Sequence, residues 1–246
     1  MSRRPLIGVL GGLGPAATVD FYAKVVELSA QAGAAADQEH VRLIIDADPE
    51  VPNRNASIAG SGESSAPALV AKALRLKVAG AEVLAMACNA AHAYQREIEA
   101  AAGLKLISIV DEAVRAVERV VPAGSGVGVL AAAGTLDAGL YRTALSERGF
   151  KPLEPEGELR ERFMRLLYQV KAGQTGDAQK REMREIAGEL ITAGAVALVA
   201  GCTEVPLVLA PAEVPAGGSA DVPVPLVDAG LELAAAVVRV GSRHEL

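Results

Sequence analysis

One pattern occurs twice in this chain, and it points to a duplicated fold. Ile7-Gly8-Val9-Leu10 runs into a glycine-rich turn, and Val127-Gly128-Val129-Leu130 runs into a turn of small residues. Later in each half, a Gly-Ala start and a short apolar run end in a cysteine and a polar residue: Gly80-Ala81 to Cys88-Asn89, and Gly194-Ala195 to Cys202-Thr203. Each half closes on an apolar stretch ending in aspartate, Leu106 to Asp111 and Val224 to Asp228. Short apolar runs bounded by turn residues read as buried strands, and the intervening segments carry helical spacing. Strands alternating with helices give parallel sheets covered on both faces. The expected fold is therefore α/β, with two similar parallel-sheet α/β domains related by pseudo-two-fold symmetry. Domain one takes residues 1–113 plus 229–246, and domain two takes 114–228. The helix after Asp111 leads into domain two, and the helix after Asp228 crosses back.

Along the chain, strands are expected at 6–10, 41–46, 83–87, 106–110, 126–130, 196–200 and 224–227. Helices are expected at 18–30, with Pro15 in the first turn, and at 66–79, 90–101, 112–121, 136–148, 158–171, 177–193 and 231–240. Residues 48–62, rich in Pro, Asn, Ser and Gly, read as a long loop.

Composition narrows the partners. The 246 residues are 51% hydrophobic, enough for a sizeable core, but only 3% aromatic with no Trp, so stacking platforms for bases are scarce. The net charge is −6 without a Lys/Arg run, which argues against nucleic acid. No apolar stretch reaches the length of a membrane span. Ser2-Arg3-Arg4 before the first apolar run faintly resembles an export signal. That run passes directly into a Gly-rich turn and a helix start, so a terminal tip ahead of a strand is the better reading. Two cysteines without a disulfide framework suit a reducing cytoplasm.

The cysteine pair allows three readings: a disulfide, two core residues, or a catalytic pair. The repeated strand–Cys–polar setting favours the last. Parallel sheets bind ligands beyond the carboxyl ends of their strands, so an active site in the interdomain cleft would receive both Cys88 and Cys202. A thiol at a helix N-terminus is expected to have a lowered pKa, and backbone at 89–90 and 203–204 would cradle a carboxylate. A thiol on each face of an α-carbon suits stereoinversion: one thiolate removes the α-proton and one thiol returns a proton to the opposite face.

Three segments carry a specific resemblance: Gly11-Gly12-Leu13-Gly14-Pro15-Ala16-Ala17-Thr18, Cys88-Asn89-Ala90-Ala91-His92 and Gly201-Cys202-Thr203-Glu204-Val205-Pro206-Leu207. In order and spacing they resemble the signatures of the aspartate/glutamate racemase family. The resemblance implies a two-lobed fold and a pyridoxal-phosphate-independent two-thiol mechanism, with no cofactor and no metal. It also implies a homodimer and a small acidic amino-acid substrate. Cys88 and Cys202 are then catalytic, Cys88 acting on the D-enantiomer and Cys202 on the L-enantiomer. Gly12, Leu13, Asn89, Ala90, Ala91, Thr203 and Glu204 are expected to bind substrate. Arg54, in Val51-Pro52-Asn53-Arg54, resembles the family's loop arginine that meets the distal carboxylate, and Lys171 resembles a second cation. Otherwise Arg54 is a solvated loop residue and Lys171 a last-turn helix lysine. Thr135 resembles a turn threonine that hydrogen-bonds substrate, or else caps a helix. His92, four residues after Cys88, is expected to orient or polarise the site rather than bind a metal.

Ala90 stands where the family usually has Thr, Asn53 and Asn55 where Asp and Thr are frequent, and Leu13 where Met is common. All four fall where substrate would be recognised. The alternatives are a broad-specificity amino-acid racemase, a maleate isomerase or hydantoin racemase-like enzyme, and a non-catalytic small-acid binding protein. Gly12-Leu13-Gly14-Pro15-Ala16-Ala17 also fits a dinucleotide fingerprint, but Asp46 lies too far downstream for the ribose acid. The glycines instead suggest close approach of the loop backbone to a small substrate.

Overall fold

A computed structural model describes residues 4–209 and 224–242. Arg3 and Ser2 of the arginine-containing terminal tip lie outside the described residues. The chain divides into two compact units, Met1–Glu112 with Gly230–Leu246, and Ala113–Ala229.

The first unit contains β1 (Ile7–Leu10), α1 (Pro15–Gln31), β2 (Leu43–Asp46), α2 (Arg54–Ile58) and α3 (Ala66–Val78). It continues with β3 (Val83–Met86), a 3-10 turn over Ala90–Tyr94, α4 (Gln95–Ala102), β4 (Leu106–Ile107) and the start of α5 (Ile109–Val120). Among the described residues its sheet has four strands in the order β2-β1-β3-β4, with every pair parallel.

The second unit contains β5 (Gly126–Ala131), α6 (Ala133–Asp137), α7 (Leu140–Glu147), β6 (Lys151–Leu153), α8 (Gly157–Lys171) and α9 (Asp177–Thr192). β7 (Ala195–Gly201), a 3-10 turn over Val205–Leu207 and β8 (Leu226–Asp228) complete it, before α10 (Ala229–Gly241). Its sheet, again four strands among the described residues and parallel throughout, runs β6-β5-β7-β8.

The two sheets repeat one strand order, and the repeated Gly in the first strand of each has one physical cause. A Cβ at Gly8 would lie 2.8 Å from the Ala81 Cβ and 3.1 Å from the Leu76 Cβ. A Cβ at Gly128 would lie 2.5 Å from Leu198 and 3.3 Å from the Leu190 Cβ. The tightest contact comes from the chain of the neighbouring strand, Ala81 or Leu198, and the helix Cβ atoms of α3 and α9 come next, so glycine lets helix and strand close in together in each unit. The apolar clusters follow: Leu69, Leu76, Leu84 and Ile98 in the first unit, Leu166, Ile186, Leu190 and Leu198 in the second.

Several expected elements differ in detail. The strand expected at 106–110 is only two residues long, because Ser108 turns the chain: its Oγ accepts the Asp111 N–H at 3.2 Å and α5 begins at Ile109. Asp111 thus sits in the first turn of a helix rather than at a strand tip. The helix expected at 136–148 is two helices, parted at Gly139, whose φ of +64° breaks the ladder. The loop at 48–62 contains α2, capped by Asn53, whose side chain accepts the N–H groups of Asn55 (2.9 Å) and Ala56 (3.3 Å). The segment after Asn89 opens as 3-10 before becoming α4. The short strand β6, which includes Pro152, escaped the sequence pattern because three residues at a sheet edge carry little periodicity. No helix of the described residues is long and apolar enough to cross a membrane.

Candidate active site

In each unit the strand next to the glycine-bearing one delivers a cysteine at its carboxyl end. Cys88 follows β3 by one residue and Cys202 follows β7 directly. Both thiols are free and buried, at 8% and 7% exposure, each within its unit's apolar cluster.

In the first unit Cys88 is held through its backbone. The His92 ring is buried, with Nδ1 2.8 Å from the Cys88 carbonyl oxygen and Nε2 accepting the Ile109 N–H at 3.2 Å. An acceptor Nε2 requires the proton on Nδ1, which donates to Cys88. Burial lowers the His92 pKa to about 4, so the ring is neutral near pH 7. Both ring nitrogens serve backbone groups, and the Cys-x3-His spacing makes no metal ligand pair. His92 instead ties the Cys88 turn to the start of α5.

The glycine-rich turn precedes α1. Thr18 staples it: the Oγ1 accepts the Gly12 N–H at 2.8 Å and donates to the Gly14 carbonyl at 3.0 Å. Gly12 has φ +80°, and a Cβ there would stand 2.4 Å from the Asp48 carbonyl oxygen. Its glycine is thus required by the neighbouring loop as well as by the turn, whereas the sequence reading assigned the glycines to substrate approach. Leu13 is 4% exposed and packs in the same apolar cluster as Cys88. Ala90 and the fully buried Ala91 join that cluster, so their side chains face the core. Asn89 is likewise buried.

Arg54 opens α2 and reaches back along its own loop. Nη1 donates to the carbonyls of Val51 and Pro52, both at 2.9 Å, and Nη2 donates to Leu13 at 3.2 Å. It is not a solvated loop arginine: its guanidinium joins the loop after β2 to the glycine-rich turn. Underneath, Lys72 of α3 is fully buried, bonding Asp46 Oδ1 at 3.2 Å and the Asp48 carbonyl at 3.0 Å. Arg75 bonds both aspartates from outside. The sequence signal for this anchor was a charge inside the apolar stripe Leu69, Lys72, Ala73, Leu76.

In the second unit the contacts reach the thiol itself. Cys202 Sγ donates to Glu204 Oε2 at 2.9 Å, and Thr203 Oγ1 donates to the same oxygen at 3.2 Å. The other carboxylate oxygen, Oε1, accepts Lys171 Nζ at 2.6 Å. Lys171 closes α8, 33 positions before Glu204, a pairing sequence proximity does not reveal. Burial raises the Glu204 pKa, but Lys171 and then the Cys202 bond outweigh it and hold the carboxyl below its ordinary value.

This arrangement corrects the expected thiol electrostatics. The turn after Cys202 is a three-residue 3-10 segment rather than a helix. Burial, then the Glu204 charge, push the Cys202 thiol well above its ordinary pKa, against the opposing pull of Lys171. Glu204 also meets the thiol through its side chain, whereas the sequence reading used its backbone for substrate.

Thr135 is buried at 1% exposure within α6, whose capping residue is Ala132, so it is not a helix cap. Its Oγ1 has no hydrogen-bond partner among the described residues. Tyr141 of α7, also buried, packs on the backbone beside Cys202: a Cβ at Gly201 would lie 2.8 Å from its ring. Burial, then Asp228, then Cys202 raise the phenol pKa, so the phenol stays neutral.

Fold and site together define a class: duplicated α/β proteins in which each parallel sheet ends a central strand in a free thiol. The family model described as Asp/Glu/Hydantoin racemase matches residues 10–237, and the chain belongs to that family. That membership places it among isomerases of the racemase class. The chain is similar to the aspartate racemase of Picrophilus torridus, with 25% identity, a TM-score of 0.77, and coverage of 96% of this chain and 93% of that one. The glutamate racemase of Francisella tularensis subsp. tularensis SCHU S4, solved in complex with D-glutamate, shares the fold at 16% identity, a TM-score of 0.64, and coverage of 95% and 79%. In sequence the chain is 28% identical over 145 residues to the broad specificity amino-acid racemase RacX of Bacillus subtilis (strain 168). That match spans 58% of this chain and 62% of RacX.

Proposed function

We propose that this protein is a pyridoxal-phosphate-independent amino-acid racemase whose preferred substrate is aspartate or another acidic amino acid. The observation that carries the reading is the pair of free thiols, Cys88 and Cys202, at the carboxyl ends of equivalent strands in a member of this family. The proposed step is a two-base transfer. A thiolate takes the α-proton, giving a thiol and a carbanion stabilised by the neighbouring carboxylate. The second thiol then gives its proton to the opposite face and is left as the thiolate. Arg54 supplies the fork for the distal carboxylate, and Lys171 and Thr135 complete substrate recognition. The reading keeps the domain division at 1–113 with 229–246 and 114–228, and includes a cytoplasmic location, which cell fractionation checks, and a homodimer, which sedimentation analysis checks.

Incubation with L-aspartate in deuterium oxide, followed by chiral analysis, tests it. D-aspartate carrying deuterium at the α-carbon is expected without added cofactor. Cys88→Ala and Cys202→Ala should each abolish the reaction, and normal racemisation by the double variant overturns the mechanism.

A second reading, broad specificity, is favoured by two particulars. Arg54 and Lys171 are both bonded to groups of the protein itself, and Ala90 replaces a hydroxyl-bearing residue beside Cys88. The name of RacX agrees with it. A panel of amino acids in the same assay decides between the two.

A further inference from the structure

We propose that Glu204, anchored by Lys171, is a positioning residue that holds Cys202 in its thiol form, making Cys202 the resting proton donor. The inference rests on the two-thiol reading above and adds an asymmetry that the duplicated strands do not contain.

The geometry is a chain of three groups from three places in the second unit. Lys171 at the end of α8 bonds Glu204 Oε1 at 2.6 Å, and Glu204 Oε2 accepts the Cys202 thiol at 2.9 Å. A carboxylate is an acceptor only, so the hydrogen in the Sγ–Oε2 contact belongs to sulfur. Thr203 donates to the same oxygen, which fixes the carboxylate plane toward the thiol. A thiolate in this place would face a carboxylate across 2.9 Å in a buried setting, a repulsion that water screens poorly. Lys171 keeps Glu204 ionised and so keeps it an acceptor.

The other groups around Cys202 do not replace this one. Tyr141 of α7 is neutral, with Asp228 at the end of β8 acting on the phenol. α9 and β5 turn apolar side chains, Ile186, Leu190 and Leu130, into the shared cluster.

The consequence concerns which substrate the resting enzyme accepts. With Cys202 as S–H, the turnover that Cys202 can complete as donor is the one in which Cys88 takes the α-hydrogen, so the resting enzyme takes the enantiomer whose α-hydrogen faces Cys88. Cys88 gains that proton, Cys202 loses its own to the carbanion, and the product enantiomer leaves. The thiolate now on Cys202 regains a proton from solvent while Cys88 gives one up, which restores the resting form without any other reactant.

The test uses the chain's two cysteines separately. In a Cys88→Ala protein, Cys202 is the sole thiol, and its thiolate absorbance is followed against pH with the Cys88→Ala/Cys202→Ser protein as blank. Glu204→Gln is expected to move the Cys202 titration to lower pH, giving about tenfold or more thiolate at a fixed pH below the midpoint. Lys171→Met removes the charge that opposes Glu204 at the thiol and is expected to move it upward, Glu204 being ionised over the pH range of the titration. Glu204→Asp, which keeps the charge, should stay near the parent. In the two-cysteine enzyme, Glu204→Gln should shift two limbs of kcat/KM to lower pH. These are the rising limb for the enantiomer that Cys202 deprotonates and the falling limb for the other. A merely structural defect would scale the rates and leave the limbs in place. An unmoved Cys202 titration in both Glu204→Gln and Lys171→Met overturns the proposal, even if racemisation is observed. A shifted titration in a protein that racemises nothing overturns the two-thiol reading instead, and with it the assignment of donor and base.

Discussion

His92 Nδ1 lies 2.8 Å from the carbonyl oxygen of Cys88, while the same ring accepts the Ile109 N–H at 3.2 Å. The residue that turns the chain after the first thiol is therefore pinned to the helix that leaves the first unit. Its hydrogen bonds require a neutral ring with the proton on Nδ1, and that requirement has a measurable cost at low pH.

The His92 pKa is lowered from 6.5 to about 4 by burial. Between those values the unfolded chain binds a proton that the folded chain refuses, so stability falls as pH drops through that window. The full effect is about 3 kcal/mol, present above pH 6.5 and lost by pH 4. Urea unfolding at pH 7, 6, 5 and 4 checks it, and His92→Gln should flatten the dependence while lowering stability at pH 7.

Thr135→Val should separate stability from binding. The buried hydroxyl has no partner among the described residues, so removing it should leave stability unchanged or raise it by about 1 kcal/mol. If the hydroxyl meets substrate, KM rises several-fold with little change in thermal midpoint. A thermal midpoint that falls by many degrees would assign Thr135 to packing alone.

Lys72→Met should loosen the loop that carries Arg54. The substitution preserves the buried stem but removes the bonds to Asp46 and the Asp48 carbonyl. Arg75 still pairs with both aspartates, so the loss is about 2 kcal/mol rather than that of a wholly orphaned charge. Denaturant midpoints measure it, and a KM increase larger than the fall in kcat would show that the loop's position had changed.

Gly201→Ala should cost about 1–3 kcal/mol by overpacking. The new Cβ would meet the Tyr141 ring at 2.8 Å and the Ala131 Cβ at 3.0 Å. A smaller ring-site residue, Tyr141→Leu, should recover part of the loss in the double variant. Simple additivity of the two single effects would show that the contact is not the cause.

The duplicated strands, the parallel sheets and the position of each cysteine were legible because they depend on local periodicity. Ile7 to Leu10 and Val127 to Leu130 are buried on all their inner positions, and a run of that kind has few other fates. Element edges were less legible where one polar side chain decides them. Ser108 ended a strand three residues early, and Asn53 created a helix inside a loop. Neither event leaves a periodic trace.

Cys88 and Cys202 look equivalent as letters in a sequence, since each follows an apolar run and precedes a polar residue. Local sequence alone determined that two thiols stand at strand ends and that the chain carries the signatures of a racemase family. Tertiary structure decided how the thiols differ. Cys88 is held by an imidazole on its carbonyl, whereas Cys202 donates a hydrogen bond to a carboxylate that a lysine 33 positions away secures. Charge interactions act through space at a few ångströms, and only the folded chain brings Lys171, Glu204 and Cys202 within that range.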